Sequence, residues 1–235
     1  MSPKAKAKKS AVATASQASV AQSLVTESAV YFYGQRDPTF GCLSNFHACR
    51  FEDASGQKFF SSEQFFMKKK QETFDGENEA LAVAILKAKS PAVAKKLGRQ
   101  VRNYDDRVWG DKRLGFMIEA LKLKFSSDEA LRDTLLTTEH RNLYEASRSD
   151  AIWGIGVSVE KIQETFRDSR KFREMGDLDA ETRANWFGSN LLGQALMETR
   201  SWLISTIGHE KAAATEEKEE DGMGGADSES KTTET

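Results

Sequence analysis

The chain has 235 residues, 39% hydrophobic and 30% charged, with 34 Lys and Arg against 36 Asp and Glu for a net charge of −2. That is the composition of a globular chain with one sizeable core, and no apolar run nears the roughly 18 residues of a membrane span. The near-neutral middle also argues against a protein that grips long duplex DNA by counterion release.

The elements follow in chain order. Residues 1–28 carry Lys4, Lys6, Lys8 and Lys9 among Ala and Ser, with no acid before Glu27, and are expected to be a disordered basic tail. There is no apolar h-region of a secretory signal in it. Residues 29–208 are expected to form the folded domain. Val30 to Tyr33 reads as a short strand, and Arg50–Asp53 with Lys58–Phe60 flank Ala54-Ser-Gly56 as a hairpin. Cys42 and Cys49 lie close together and make no disulfide framework, so a reducing compartment, cytoplasmic or nuclear, is expected.

Ser61 or Ser62 can cap a helix, and Gln64 stands at capping-box spacing from Ser61. In such a helix Glu63, Met67 and Lys70 share one face while Phe65 and Phe66 turn toward a core. An acid and an amine held beside apolar surface have shifted pKa values and can do acid–base or imine chemistry. A plainer reading stands beside it: a Glu suited to the helix dipole, and Lys68 to Lys70 as a solvated basic face.

Asn78 to Ala88 reads as an Ala- and Leu-rich helix. Ser90-Pro91 is an N-cap followed by Pro at the first helical position, with Gly98 as the closing C′ residue. Leu114, Met117, Ile118, Leu121 and Phe125 give Val108–Phe125 a helical period. Ser126 with Glu129 reads as a capping box before Leu131–Leu136, and Asn142 to Ala146 as a strand. Residues 157–185 are highly charged and read as a surface helix, or else as a lid or nucleic-acid contact arm. Asn190 is expected to cap a last amphipathic helix through Leu203, and residues 209–235 to be a disordered acidic tail. The fold class is therefore α+β, helix-dominated, with a small β-sheet. His47, His140 and His209 show no ligand spacing, so no metal and no cofactor is expected.

The blocks Tyr31-Phe-Tyr-Gly, Cys42-Leu-Ser-Asn-Phe46, Ser61–Lys70 and Ser90–Arg99 are followed by an isolated Trp109. Asp150-Ala-Ile-Trp-Gly154 and Trp186-Phe-Gly-Ser-Asn-Leu-Leu-Gly193 complete the series. In this order and approximate spacing they resemble the NADAR, or YbiA-like, family over roughly Val30 to Leu203. The stretch 157–185 is extra relative to its shortest members.

The resemblance implies a domain that cleaves N-glycosidic bonds to ribose. Family members act on ribosylamino-pyrimidine phosphates of riboflavin synthesis, or remove ADP-ribose from the amino group of guanine. The substrate expected here is ADP-ribosylated guanosine or single-stranded nucleic acid, with ADP-ribose as product and the protein a monomer. The riboflavin intermediate is the alternative, and a non-catalytic ADP-ribose or NAD reader is a third reading.

Glu63 matches the family's helical Glu and is assigned acid–base chemistry. Lys70 matches its helical Lys, as a Schiff-base nucleophile or a phosphate-binding cation. Asp150 can steady positive charge on the ribose or cap a turn. Trp109 and Trp153 can stack on a base or serve the core. Tyr33, Ser44, Asn45, Phe46 and Gly154 are assigned to the pocket, Gly98 and Arg99 to the diphosphate, and Asn190 to its helix cap or the ligand.

Overall fold

The computed structural model describes residues 23–168 and 187–223. It is a helix-dominated α+β domain with two small sheets. β1 (Leu24–Val25) runs antiparallel to β2 (Ala29–Phe32), and β2 runs parallel to β5 (Asn142–Glu145), pairing Ala29 with Asn142 and Phe32 with Glu145. β3 (Phe51–Glu52) and β4 (Lys58–Phe59) form the expected hairpin.

Between them and after them come α1 (Ser62–Phe74), α2 (Glu79–Leu86), α3 (Pro91–Gly98), α4 (Asp106–Ser127), α5 (Glu129–Leu136), α6 (Val159–Asp168) and α7 (Leu191–Met223). α4 is the spine, packed against both α1 and α7. Strand alternation divides the apolar residues. Val30, Phe32 and Leu143 face the main core, while Ala29, Tyr31, Tyr144 and Ala146 face a second cluster with Ile155, Val159 and Ile162.

The helix starts obey side-chain chemistry. Ser61 and Ser90 each accept an amide hydrogen bond from the first turn that follows, as expected, and Asn78, expected inside its helix, instead caps it in the same way. Ser61 forms only half of a capping box. The Gln64 carboxamide instead accepts from the Phe60 N–H and donates to the Ile85 and Leu86 carbonyls, tying α1 to the end of α2.

Several expectations need correction. α5 is capped by Asp128, not by Ser126, because α4 runs through Ser126. Gly98 is not a C′ residue with positive φ: it ends α3 with Arg99 as the αR C-cap, and any Cβ there would strike the Met67 sulfur. The basic tail's boundary at 28 is too late, since Leu24 and Val25 pair with β2. At the other end α7 continues to Met223 rather than stopping near 208; the run is rich in Ala, Glu and Lys, all strong helix formers. Residues 1–22, 224–235 and 169–186 lie outside the described residues, and with them the outer parts of both tails and most of the 157–185 stretch.

α7 docks on β5 through Gly193, where a Cβ would overlap the Leu143 carbonyl and the Asn190 side chain. Gly193→Ala should therefore destabilise by about 2 kcal/mol, although Ala is ordinarily the better helix former. Thermal unfolding followed by circular dichroism should show a midpoint about 4–8 °C lower. An unchanged midpoint would mean that α7 does not press on β5 at this point.

Candidate active site

The N-terminus of α1, the C-terminal end of β5 and one face of α3 converge on Glu63. This residue is 2% exposed, in the first turn of α1. Its N–H donates to the Asn45 carbonyl at 3.0 Å, and its Oε2 accepts from Asn45 Nδ2 at 2.6 Å. Oε1 is buried and has no hydrogen-bond partner among the described residues. Burial pushes the Glu63 carboxyl up to about 7, against the pull of Lys95, the Asn45 hydrogen bond and Arg99, while Asp150 pushes the same way as burial. A carboxyl so poised exchanges its proton near neutral pH.

Lys70 lies on the same helix and is half-buried. Its Nζ sits 4.2 Å from the centre of the Tyr104 ring, and no carboxylate among the described residues is within ion-pair distance. Burial and the nearby Arg99 lower its pKa, opposed by Glu63. Lys68 and Lys69 are different: Lys68 pairs with Glu72 at 2.7 Å and Lys69 reaches Glu119 at 3.6 Å. The basic run thus splits into two lysines paired with glutamates and one turned toward the acid.

Glu145 was not identified from the sequence. It follows Leu143 by two positions on β5 and so shares the face that looks into the main core. Its carboxyl is pushed up to about 7 by burial and by Asp150, with Glu63 adding to the push and Lys95 opposing it. An acid on the core-facing side of a short strand was the available signal. Lys95, likewise unassigned, stands one turn before Arg99 on α3 and lies 5.4 Å from the Phe46 ring centre.

The aromatic wall is built around Phe66, whose ring centre is 4.8 Å from that of Trp109 and 5.0 Å from that of Trp153. Trp109 is buried and also touches Phe74 and Phe116, so it serves the core; Trp153 is only half-buried. Asp150 fills the turn-capping role, its Oδ1 accepting from the Ile152 and Trp153 N–H groups while its charge reaches both Glu63 and Glu145. Gly154 is required by close approach: a Cβ would meet the Glu145 and Asp150 carbonyls.

Other expected site residues lie elsewhere or do other work. Ser44 is buried, and its Oγ accepts from the Phe46 N–H within its own loop. Asn190 does not cap α7 with its side chain. Held at φ 51, it accepts from the Glu145 N–H and donates to the Leu143 carbonyl, locking β5 behind the site. Gly98 lets α3 approach Met67, which brings Lys95 and Arg99 to the acid. Tyr33 follows the end of β2 and lines a cavity of about 260 Å³ with Arg148, Ser158 and Glu160. It does not join Glu63.

Comparisons with known proteins identify the family and agree with the fold. A family profile described as the NADAR domain matches residues 31–204. An N-glycosidase of Acanthamoeba polyphaga mimivirus is 29% identical over 181 residues, covering 74% of this chain and 96% of that protein. A riboflavin biosynthesis protein of Vibrio vulnificus is 33% identical over 135 residues, which is 57% of this chain but 35% of that longer protein. The NMR structure of Escherichia coli YbiA superposes with a TM-score of 0.56 at 26% identity, covering 78% of this chain and 89% of that one. Among the described residues no helix is long and apolar enough to cross a membrane.

Proposed function

The chain belongs to the NADAR domain family, and from that premise we propose that it is an N-glycosidase removing ADP-ribose from the exocyclic amine of guanine. The observation that carries this reading is the Glu63 carboxyl: buried, fixed by Asn45 through Oε2, without a partner at Oε1 among the described residues, and pushed up to about 7. Its surroundings suit the parts of the substrate. Lys95 and Arg99 offer charge to a diphosphate, and Trp153 offers a half-exposed ring to a base.

In this linkage the anomeric carbon bears a nitrogen that still carries hydrogen. Glu63 gives its proton to the ring oxygen as the bond from that oxygen to the anomeric carbon breaks. The nitrogen's electron pair forms the imine and its proton is released. Lys70, with its lowered pKa, supplies a free amine that adds to that carbon and expels the base amine, leaving a Schiff base that water hydrolyses to ADP-ribose. Glu145 and Asp150 stand beside the place where the cationic intermediates form.

The chemistry predicts a sharp discrimination between linkages. ADP-ribose should be released from the guanine amine, but not from the ring nitrogen of thymine, which has no hydrogen to lose. Unmodified guanosine should survive for the same reason. Release from thymidine at a comparable rate would contradict the ring-opening route. Preferential cleavage of a ribosylamino-pyrimidine phosphate would transfer the assignment to the riboflavin-type substrate.

A further inference from the structure

Lys124 is a charged side chain sealed completely within the described fold. It lies in the last turn of α4, is 0% exposed, and pairs with no carboxylate among the described residues. A buried cation without a counter-ion is costly unless its protons are taken up by acceptors. The Lys124 Nζ donates to the Cys42 carbonyl and, at 3.0 Å, to the Ser44 carbonyl. Both belong to the segment that enters and leaves the 3-10 turn Gly41–Leu43. The next residue is Asn45, which holds Glu63 twice, by its own carbonyl on the Glu63 N–H and by Nδ2 on Oε2.

We infer that Lys124 is a positioning residue: its amino group pins the 42–44 segment from beneath by donating to the two carbonyls, so that Asn45 is fixed where it can hold the Glu63 carboxyl. This rests on the reading of Glu63 as the proton-handling group. α4 supplies no direct contact to Glu63; its influence passes through two carbonyls and one carboxamide. The other charged groups facing Glu63 are Lys95 and Arg99 from α3, Asp150 from the loop after β5, Glu145 from β5 and Lys70 on α1. None of them is hydrogen-bonded to Lys124.

The test is the titration of Glu63 itself, followed by carbon-13 NMR of labelled side-chain carboxyls in the full chain and assigned by the signal lost in Glu63→Gln. It needs no substrate, so its failure and the failure of the proposed activity are distinguishable. The Asn45 donor favours the charged form, so losing its aim should raise the Glu63 midpoint. Lys124→Met should raise it by about half a unit or more, and Asn45→Ala by at least as much.

The decisive comparison is Lys124→Met in the Asn45→Ala background. If the coupling runs through Asn45, the lysine replacement adds nothing there. A shift of equal size in both backgrounds would mean that Lys124 acts only by its charge, and an unshifted midpoint in Lys124→Met would make it a core residue alone. Either result overturns the proposal. Should Lys124→Met not fold, Lys124→Leu, which likewise donates to neither carbonyl, is read the same way. On active protein, the single variant should lower kcat about tenfold with little change in KM.

Discussion

Glu63→Gln is expected to lower kcat by about 10²-fold or more while leaving ligand affinity near wild type, because Gln keeps the shape and the contact to Asn45 but carries no transferable proton. The wild-type pH profile should show the same group. With the Glu63 carboxyl pushed up to about 7 by burial, kcat/KM should fall as pH rises through that value and the proton donor is lost. The replacement should also reveal what the site costs the fold. A carboxyl of ordinary pKa about 4.5 when unfolded and about 7 when folded binds more protons in the folded chain between those values, so its contribution to stability falls as pH rises through that window. Gln has no proton to lose. Above pH 7 the variant should therefore be more stable than wild type by about 2 kcal/mol, raising the unfolding midpoint by about 4–8 °C. Loss of activity together with gain of stability would mark Glu63 as a group kept for chemistry. Wild-type turnover in the variant would remove it from the mechanism.

Lys70→Arg is the second large effect. Arg preserves the positive charge and can still lie over Tyr104, but it cannot form an imine. On the Schiff-base route it should abolish turnover, and borohydride added to working wild-type protein should leave an ADP-ribosyl adduct on the peptide containing Lys70. A variant that stays active, with nothing trapped in the wild type, would make Lys70 a clamp for phosphate and leave hydrolysis to Glu63 and water.

Much of this was readable in the chain because local chemistry decided it. Ser61 and Ser90 cap their helices by local hydrogen bonds, and the apolar spacing of α4 is explicit in Leu114, Met117, Ile118 and Leu121. That Glu63 and Lys70 share one face of α1 followed from helical geometry alone. What escaped depends on contacts distant in sequence. Asn190 looks like a cap until β5 is placed beside it, and Gly98 looks like a helix stop until Met67 is seen against it. Ser126 stands at capping-box spacing from Glu129, but α4 runs through it and leaves the cap to Asp128. Glu145 enters the site because β5 pairs with β2 in parallel, an alignment no local pattern specifies. Lys124 is ordinary in sequence and becomes telling only once it is enclosed.

Mass analysis of wild-type protein incubated with ADP-ribosylated guanosine bears most directly on the proposed activity. Free ADP-ribose and unmodified guanosine should accumulate over many turnovers, and the same incubation with Glu63→Gln should yield at most about a hundredth as much in the same time. Binding of the modified nucleoside without any release over hours would contradict an N-glycosidase and leave a reader of ADP-ribose in its place.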